Sequence, residues 1–316
     1  MSSTPSISVI IPVYRGEAYL PRLLASIRQQ SLECDELWLV VTDSNPEIEA
    51  VAQSAGARHL PIEQTRFDHA GTRSEAAAMA AGEVLVFLTQ DVLPAHENTL
   101  KTLVDSLVAD DGIGAAYGRQ IPDEGARPVA KVKRIFNYPD ESITKTDGDR
   151  TKFGLRTPFI SNAFAAYRRS ALEEIGGFGR RELICEDFCA GAALLTKGWS
   201  IHYEAEAVVH HTHQFSLSQE FRRYFDIGVA HHRHRWILDR FGGSDREGLR
   251  YLGMGIDHLK RHGQWFKIPG FILRSLTGRM AYLLGQSHER IPRSWSRSMS
   301  SFPGWWDRDE ADRGRR

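Results

Sequence analysis

SISVIIPV, residues 6–13, is an almost continuous run of apolar, largely β-branched residues. A strand covered on one face alternates apolar and polar positions, whereas a continuous run marks a strand buried on both faces, as in a parallel sheet. Leu20, Leu23, Leu24 and Ile27 follow at helical spacing, and ELWLVVT at 36–42 repeats the buried-strand pattern. Strand, helix and strand in this order make a βαβ unit. The alternation continues through helix 47–55, a short strand at 58–61, helix 72–81, EVLVFL at 83–88, helix 96–108 and a strand at 113–118. Residues 1–120 are therefore expected to form an open, doubly wound, mostly parallel α/β sheet.

Residues 121–157 are rich in Pro, Gly, Asp and Lys with little periodicity, which predicts a long loop or lid. A strand at 159–167, a short helix at 169–175, a helix at 187–197 and a strand pair at 199–203 and 207–210 should follow. From Leu217 the pattern is helical over 217–240, 246–262 and 269–285, ending in a segment with Trp295, Trp305 and Trp306. The expected organisation is a catalytic unit over 1–216, divided near residue 120, and a helical C-terminal extension over 217–316.

The chain has 316 residues, 41% apolar and 25% charged, which excludes disordered and fibrous classes. Cys34, Cys185 and Cys189 are too few for a secreted disulfide framework, and MSSTPSISVIIPVY lacks the charged start and cleavage site of a signal peptide. A cytoplasmic setting is expected. The best membrane candidate, 268–285, is interrupted by Arg274 and Arg279, so no spanning segment is predicted. Net charge is zero, yet residues 217–316 hold 19 Lys and Arg against 11 Asp and Glu, leaving 21 against 29 for the rest. This balance argues against nucleic-acid binding. It leaves the basic third either close to an anionic membrane surface or merely solvated. Phe271, Ile272, Leu276, Met280, Leu283 and Leu284 form an apolar stripe there, suited to a bilayer or to the protein's own core.

Ligands of parallel α/β sheets bind beyond the carboxyl ends of the strands. Three polar clusters occupy such ends: Pro12-Val13-Tyr14-Arg15, Thr42-Asp43-Ser44-Asn45 and Thr89-Gln90-Asp91. Each alone could be an ordinary turn; together they predict one site. Neither Gly-x-Gly-x-x-Gly nor Gly-x-x-x-x-Gly-Lys occurs, so the dinucleotide and P-loop phosphate cradles are missing. A diphosphate would then need a metal or cationic side chains. Asp91 is a hard oxygen ligand for Mg²⁺ or Mn²⁺, and Arg73 is a candidate cation.

With these residues in place, the sequence resembles the inverting family-2 glycosyltransferases of GT-A fold, through VIIPVYR, the Asp after the second strand and the acidic position after VLVFL. FDHAGTRS at 67–74, LTQDVLP at 88–94, CEDFCAG at 185–191 and HHTHQFSLSQEFRRYFDIGVAHHR at 210–233 are similar to the subgroup that moves L-rhamnose from dTDP-L-rhamnose into bacterial surface polysaccharides. The resemblance implies that Pro12, Tyr14 and Glu17 hold the nucleoside, that Asp43 reads the pyrimidine edge, and that His69, Arg73 and Gln90 lie on the donor. It implies a Mg²⁺ or Mn²⁺ on Asp91 and His211, with Asp187 as base and Glu186 placing the acceptor, a saccharide or a lipid-linked one. Thr89-Gln90-Asp91 stands where the family usually has Asp-x-Asp, so one carboxylate is missing, and Ser74 replaces an Asn common in the subgroup.

Other readings stay open. Glu186 and Asp187 open a predicted helix, where acids also serve as dipole partners. His202, His210, His211 and His213 could suggest structural zinc, but no Cys pairs accompany them. Another dTDP- or UDP-sugar is an alternative donor, and a non-catalytic assembly protein on the same fold is a rival. A sugar-nucleotide pyrophosphorylase would need a Gly-rich basic loop after strand 1, where PVYRGEAYLPR has one Gly.

Overall fold

A computed structural model describes residues 5–123, 125–212 and 214–313. Its sheet has nine strands: β1 (Ile7–Tyr14), β2 (Glu36–Thr42), β3 (Arg58–Ile62), β4 (Val84–Leu88), β5 (Leu93–Pro94), β6 (Ile113–Ile121), β7 (Ile143–Lys145), β8 (Phe164–Arg168) and β9 (Ser200–His210). They pair in the order β3-β2-β1-β4-β8-β6-β9-β5, with β7 also on β9. β1, β2, β3, β4, β6 and β9 run one way; β5, β7 and β8 run the other. The carboxyl ends of β1, β2, β4, β6 and β9 therefore share one edge with the amino end of β8.

Alternate residues of each strand feed two cores, one on each face. In β1, Ile10 packs with Trp38, Phe87 and Tyr167, whereas Val9 and Ile11 pack with Leu39, Val86 and Leu23 of the Leu20–Arg28 helix. Complete burial of each such side chain contributes roughly 1.5–3 kcal/mol, so β1 anchors the sheet from both sides. Asn45 caps the Pro46–Ser54 helix by accepting from Ile48 N at 3.0 Å. Asp68 similarly caps His69–Met79, accepting from Ala70 N at 3.2 Å. That cap starts the helix three residues before the expected 72 and brings His69 onto it.

Residues 121–157 are not a lid-like loop. They contain the helix Pro128–Asn137, strand β7 and the short helix Arg150–Phe153. Val132 at the centre of the first is completely buried against Leu259 and Phe271. The expected strand pair at 199–210 is one strand, β9, whose pairing with β6 shifts register between Gly118 and Arg119. The expected helix 217–240 is two, Leu217–Arg233 and Arg235–Phe241, parted at His234.

Helices Leu217–Arg233 and Ile268–Gln286 pack in close contact. A Cβ on Gly228 would run into the Tyr282 carbonyl, and one on Gly285 into that of Phe225. The change from sheet to helix near 216 is not a break between cores. Ile237 and Phe241 join the core around Phe87 and Tyr167, while Trp305 and Trp306 pack with Leu183, Ile184 and Phe225. No helix among the described residues is long and apolar enough to cross a membrane.

Candidate active site

The ends of β1, β2 and β4 are tied together by their own polar groups. Gln90 Nε2 donates to the Tyr14 carbonyl and Gln90 Oε1 accepts from Tyr14 N, both at 2.9 Å. The tyrosine hydroxyl accepts from Gln64 Nε2 at 3.0 Å, and Gln64 N donates to Asp43 Oδ1 at 3.0 Å. Asn45 Nδ2 donates to Glu17 Oε1 at 2.7 Å. Asp43 is exposed at φ 53°, in the left-handed region that non-glycine residues seldom adopt. Pro12, Tyr14, Glu17, Asp43, Gln90 and Asp91 thus gather on one edge, as the strand-end rule required. Gln90, expected on the donor, has both ends of its amide on the Tyr14 backbone.

Asp91 Oδ2 lies 3.4 Å from His211 Nε2. The imidazole sits just beyond β9, where His211 N donates to the Ile121 carbonyl at 3.0 Å. Its Nδ1 lies 2.7 Å from Gln120 Oε1, an acceptor, and 3.2 Å from Arg134 Nη2, a donor. Arg134 comes from the Pro128–Asn137 helix, and its Nη1 donates to Gln120 Oε1. Burial holds His211 below the ordinary histidine value, outweighing the pull of Asp91 in the other direction.

A carboxylate and an imidazole nitrogen that face each other can share a cation when that nitrogen is free of its proton. With metal–ligand bonds of about 2.1 Å both atoms reach one Mg²⁺ or Mn²⁺, and a carboxylate plus an imidazole suit such an ion. Among the described residues no three His, Cys, Asp or Glu converge as a metal site, so other ligands would come from the donor and water. The histidines do not form a zinc cluster there. His202 meets Thr144 and Glu204, His210 lies 4.0 Å from Asp123, and His213 is outside the described residues.

A second group lies behind the first. Thr89 N donates to the Ala163 carbonyl at 3.2 Å, and the preceding Asn162 N donates to Asp187 Oδ2 at 3.1 Å. Asp187 and Glu186 open the Glu186–Thr196 helix, directly after Cys185 at φ 69°. Glu186 is buried and paired with buried Arg73, Oε1 to Nη1 at 3.0 Å. Burial pushes Glu186 upward, but Arg73 and then His69 outweigh it and hold the carboxyl below its usual range. Asp187 is partly exposed. Burial first and Glu186 second push it up to about 6, despite hydrogen bonds from Asn162 N and Phe188 N.

Arg73 and His69 also differ from expectation. Rather than lining an open phosphate site, Arg73 Nη1 joins Glu186 to the His69 carbonyl, at 3.1 Å from the latter. The His69 ring is held edge-on between Phe67 and Phe302, and burial lowers it to about 4. A concavity of about 1770 Å³ lies elsewhere, along the Asp68, Thr72 and Glu75 side of that helix, and includes none of Asp91, Asp187 and His211. Gln120, Arg134 and Asn162 are missing from the sequence reading. Only Arg134 had a signal: Pro128 at a helix start, with Val129, Val132 and Phe136 at helical spacing.

The family model for glycosyl transferase family 2 matches residues 8–176, which includes every strand-end cluster of the donor side. The chain belongs to glycosyl transferase family 2. This glycosyltransferase is 37% identical over 305 residues to the O-antigen chain rhamnosyltransferase RfbN of Salmonella typhimurium, covering 95% of this chain and 96% of the relative. It is 35% identical over 305 residues to the O-antigen chain rhamnosyltransferase WbaN of Salmonella anatum, covering 96% of each. Among solved structures, the mannosyltransferase PcManGT from Pyrobaculum calidifontis, in complex with GDP-Man and Mn²⁺, has the same fold. It superposes with a TM-score of 0.58 at 18% identity, over 96% of this chain and 86% of that one.

Proposed function

We propose that this glycosyltransferase moves L-rhamnose from dTDP-L-rhamnose, with inversion, to a hydroxyl of a saccharide or lipid-linked acceptor in cell-surface polysaccharide synthesis. The two Salmonella rhamnosyltransferases, similar over nearly the whole chain, support the sugar. One observation carries the chemistry: of two adjacent carboxylates, Glu186 is sequestered by Arg73, while Asp187 is partly exposed and raised to about 6. A one-step inversion needs one base of that kind. The acceptor oxygen bonds to the anomeric carbon as its proton passes to Asp187. The bond from that carbon to the diphosphate breaks, and dTDP leaves from the opposite side.

On the donor side, Pro12, Tyr14 and Glu17 border the nucleoside. A carboxylate accepts more than one hydrogen bond, so Asp43 can take a thymine N3–H besides Gln64 N. Asp91 and His211 would hold Mg²⁺ or Mn²⁺, whose charge would stabilise the departing diphosphate. The same reading assigns the enzyme to the cytoplasm, with peripheral membrane contact through its C-terminal third.

The test offers purified protein a panel of dTDP-, UDP- and GDP-sugars and reads nucleoside diphosphate release. dTDP-L-rhamnose should be the preferred donor, and Asp187→Asn should keep dTDP affinity while losing about 10²- to 10⁴-fold in rate. Preference for another nucleotide sugar would replace the donor, and near-normal turnover by folded Asp187→Asn would move the base elsewhere.

A further inference from the structure

The Ile268–Gln286 helix is apolar on two opposite sides. One side, with Phe271, Gly278, Ala281, Tyr282 and Gly285, is buried against its neighbours. The other carries Leu273, Leu276, Met280 and Leu283, which are 58%, 60%, 53% and 44% exposed. At about 100° per residue these four fall on one stripe, roughly opposite the packed seam. Trp265 and Phe266, 71% and 62% exposed, lie just before the helix. A helix apolar all round is normally covered all round.

Charge selects the occupant. The segment 268–286 contains no Asp or Glu. Arg274 and Arg279 at the flanks are paired with Glu220 and Asp245, so they leave little net charge beside the stripe. Lys260 and Lys267 near its start are exposed and form no ion pair among the described residues, while beyond its end exposed Arg290 stands beside exposed Glu289. An apolar strip with an aromatic pair and two lysines at one end matches a bilayer surface with anionic headgroups, where Trp favours the interface and Lys the phosphates.

We propose that Leu273, Leu276, Met280 and Leu283, with Trp265 and Phe266, form a docking surface for an anionic lipid bilayer. This names the surface for the peripheral contact in the functional reading above, but it does not depend on the donor or the chemistry. Helix Leu217–Arg233 packs on the opposite side of Ile268–Gln286, so the stripe faces away from that seam.

The test floats the full chain with vesicles of phosphatidylcholine alone or mixed equally with phosphatidylglycerol, at low and high salt, and measures its oligomeric state without lipid. The wild type should bind the anionic vesicles at low salt and at least tenfold less to neutral ones or at high salt. Leu276→Glu with Met280→Glu should lower binding at least tenfold while keeping the melting temperature and nucleotide-sugar turnover. Binding retained by that variant, or absent in the wild type, overturns the proposal. So does a dimer that the variant dissociates without any wild-type vesicle binding. A failed donor panel with intact flotation would overturn the functional reading and leave this surface standing.

Discussion

As the proposed base, Asp187 must be without its proton to take one from an acceptor hydroxyl, and its carboxyl is raised to about 6 by burial and by Glu186. The active form grows as pH rises through that value, so kcat/KM should fall tenfold per pH unit on the acid side. The limb has identifiable controls. Glu186 raises Asp187 and Arg73 lowers it, so Glu186→Gln should shift the limb to lower pH and Arg73→Met to higher pH. Arg73→Met alone also strands a buried carboxylate, a loss of about 3–5 kcal/mol, whereas the double change should recover part of it. Rate profiles and urea unfolding of the three variants check both statements. A limb that stays put in Glu186→Gln would detach it from Asp187. The Glu-Asp pair itself was readable from sequence, but its division of labour was not, because the cation that sequesters Glu186 comes from a helix more than a hundred residues earlier.

The Pro128–Asn137 helix shows where composition misled. Its flanks are full of turn residues, yet Val132 is buried and Arg134 reaches the Asp91–His211 pair through Gln120. Groups behind a ligating histidine fix its tautomer, and their loss typically costs about 10- to 100-fold in metal affinity or activity. Arg134→Ala should therefore weaken the Mn²⁺-dependent part of dTDP binding by that factor, and leave binding without metal nearly unchanged. Calorimetry with and without Mn²⁺ distinguishes the two. Equal losses in both would make Arg134 a ligand of the diphosphate itself. The strands β1, β2 and β4 were legible because two-sided burial leaves an unbroken apolar run. β9 was not, because its register shift interrupts the pattern in the middle of one strand.

Residues 301–308 pack back onto earlier parts of the chain rather than trailing from them. Ser301 N donates to Asp226 Oδ2 at 2.8 Å, Phe302 meets the His69 ring, and Trp305 Nε1 donates to the Arg181 carbonyl at 2.9 Å. Arg308 Nη1 reaches the carbonyls of Thr65 and Phe67 at 2.9 and 2.7 Å. Sequence could not separate this from a surface segment, since tryptophans among arginines suit both and periodicity names no partner. Exposure separates them: Trp295 is 65% exposed and Trp305 only 6%. Trp305→Ala removes a buried indole and leaves a cavity, at a cost of about 3–5 kcal/mol. It also loosens the contact that holds Phe302 beside His69, so transfer activity should fall with stability. Trp295→Ala should stay within about 0.5 kcal/mol, as surface changes usually do. Urea unfolding of the two variants makes the comparison, and equal losses would show that the end of the chain does not share the core of the enzyme.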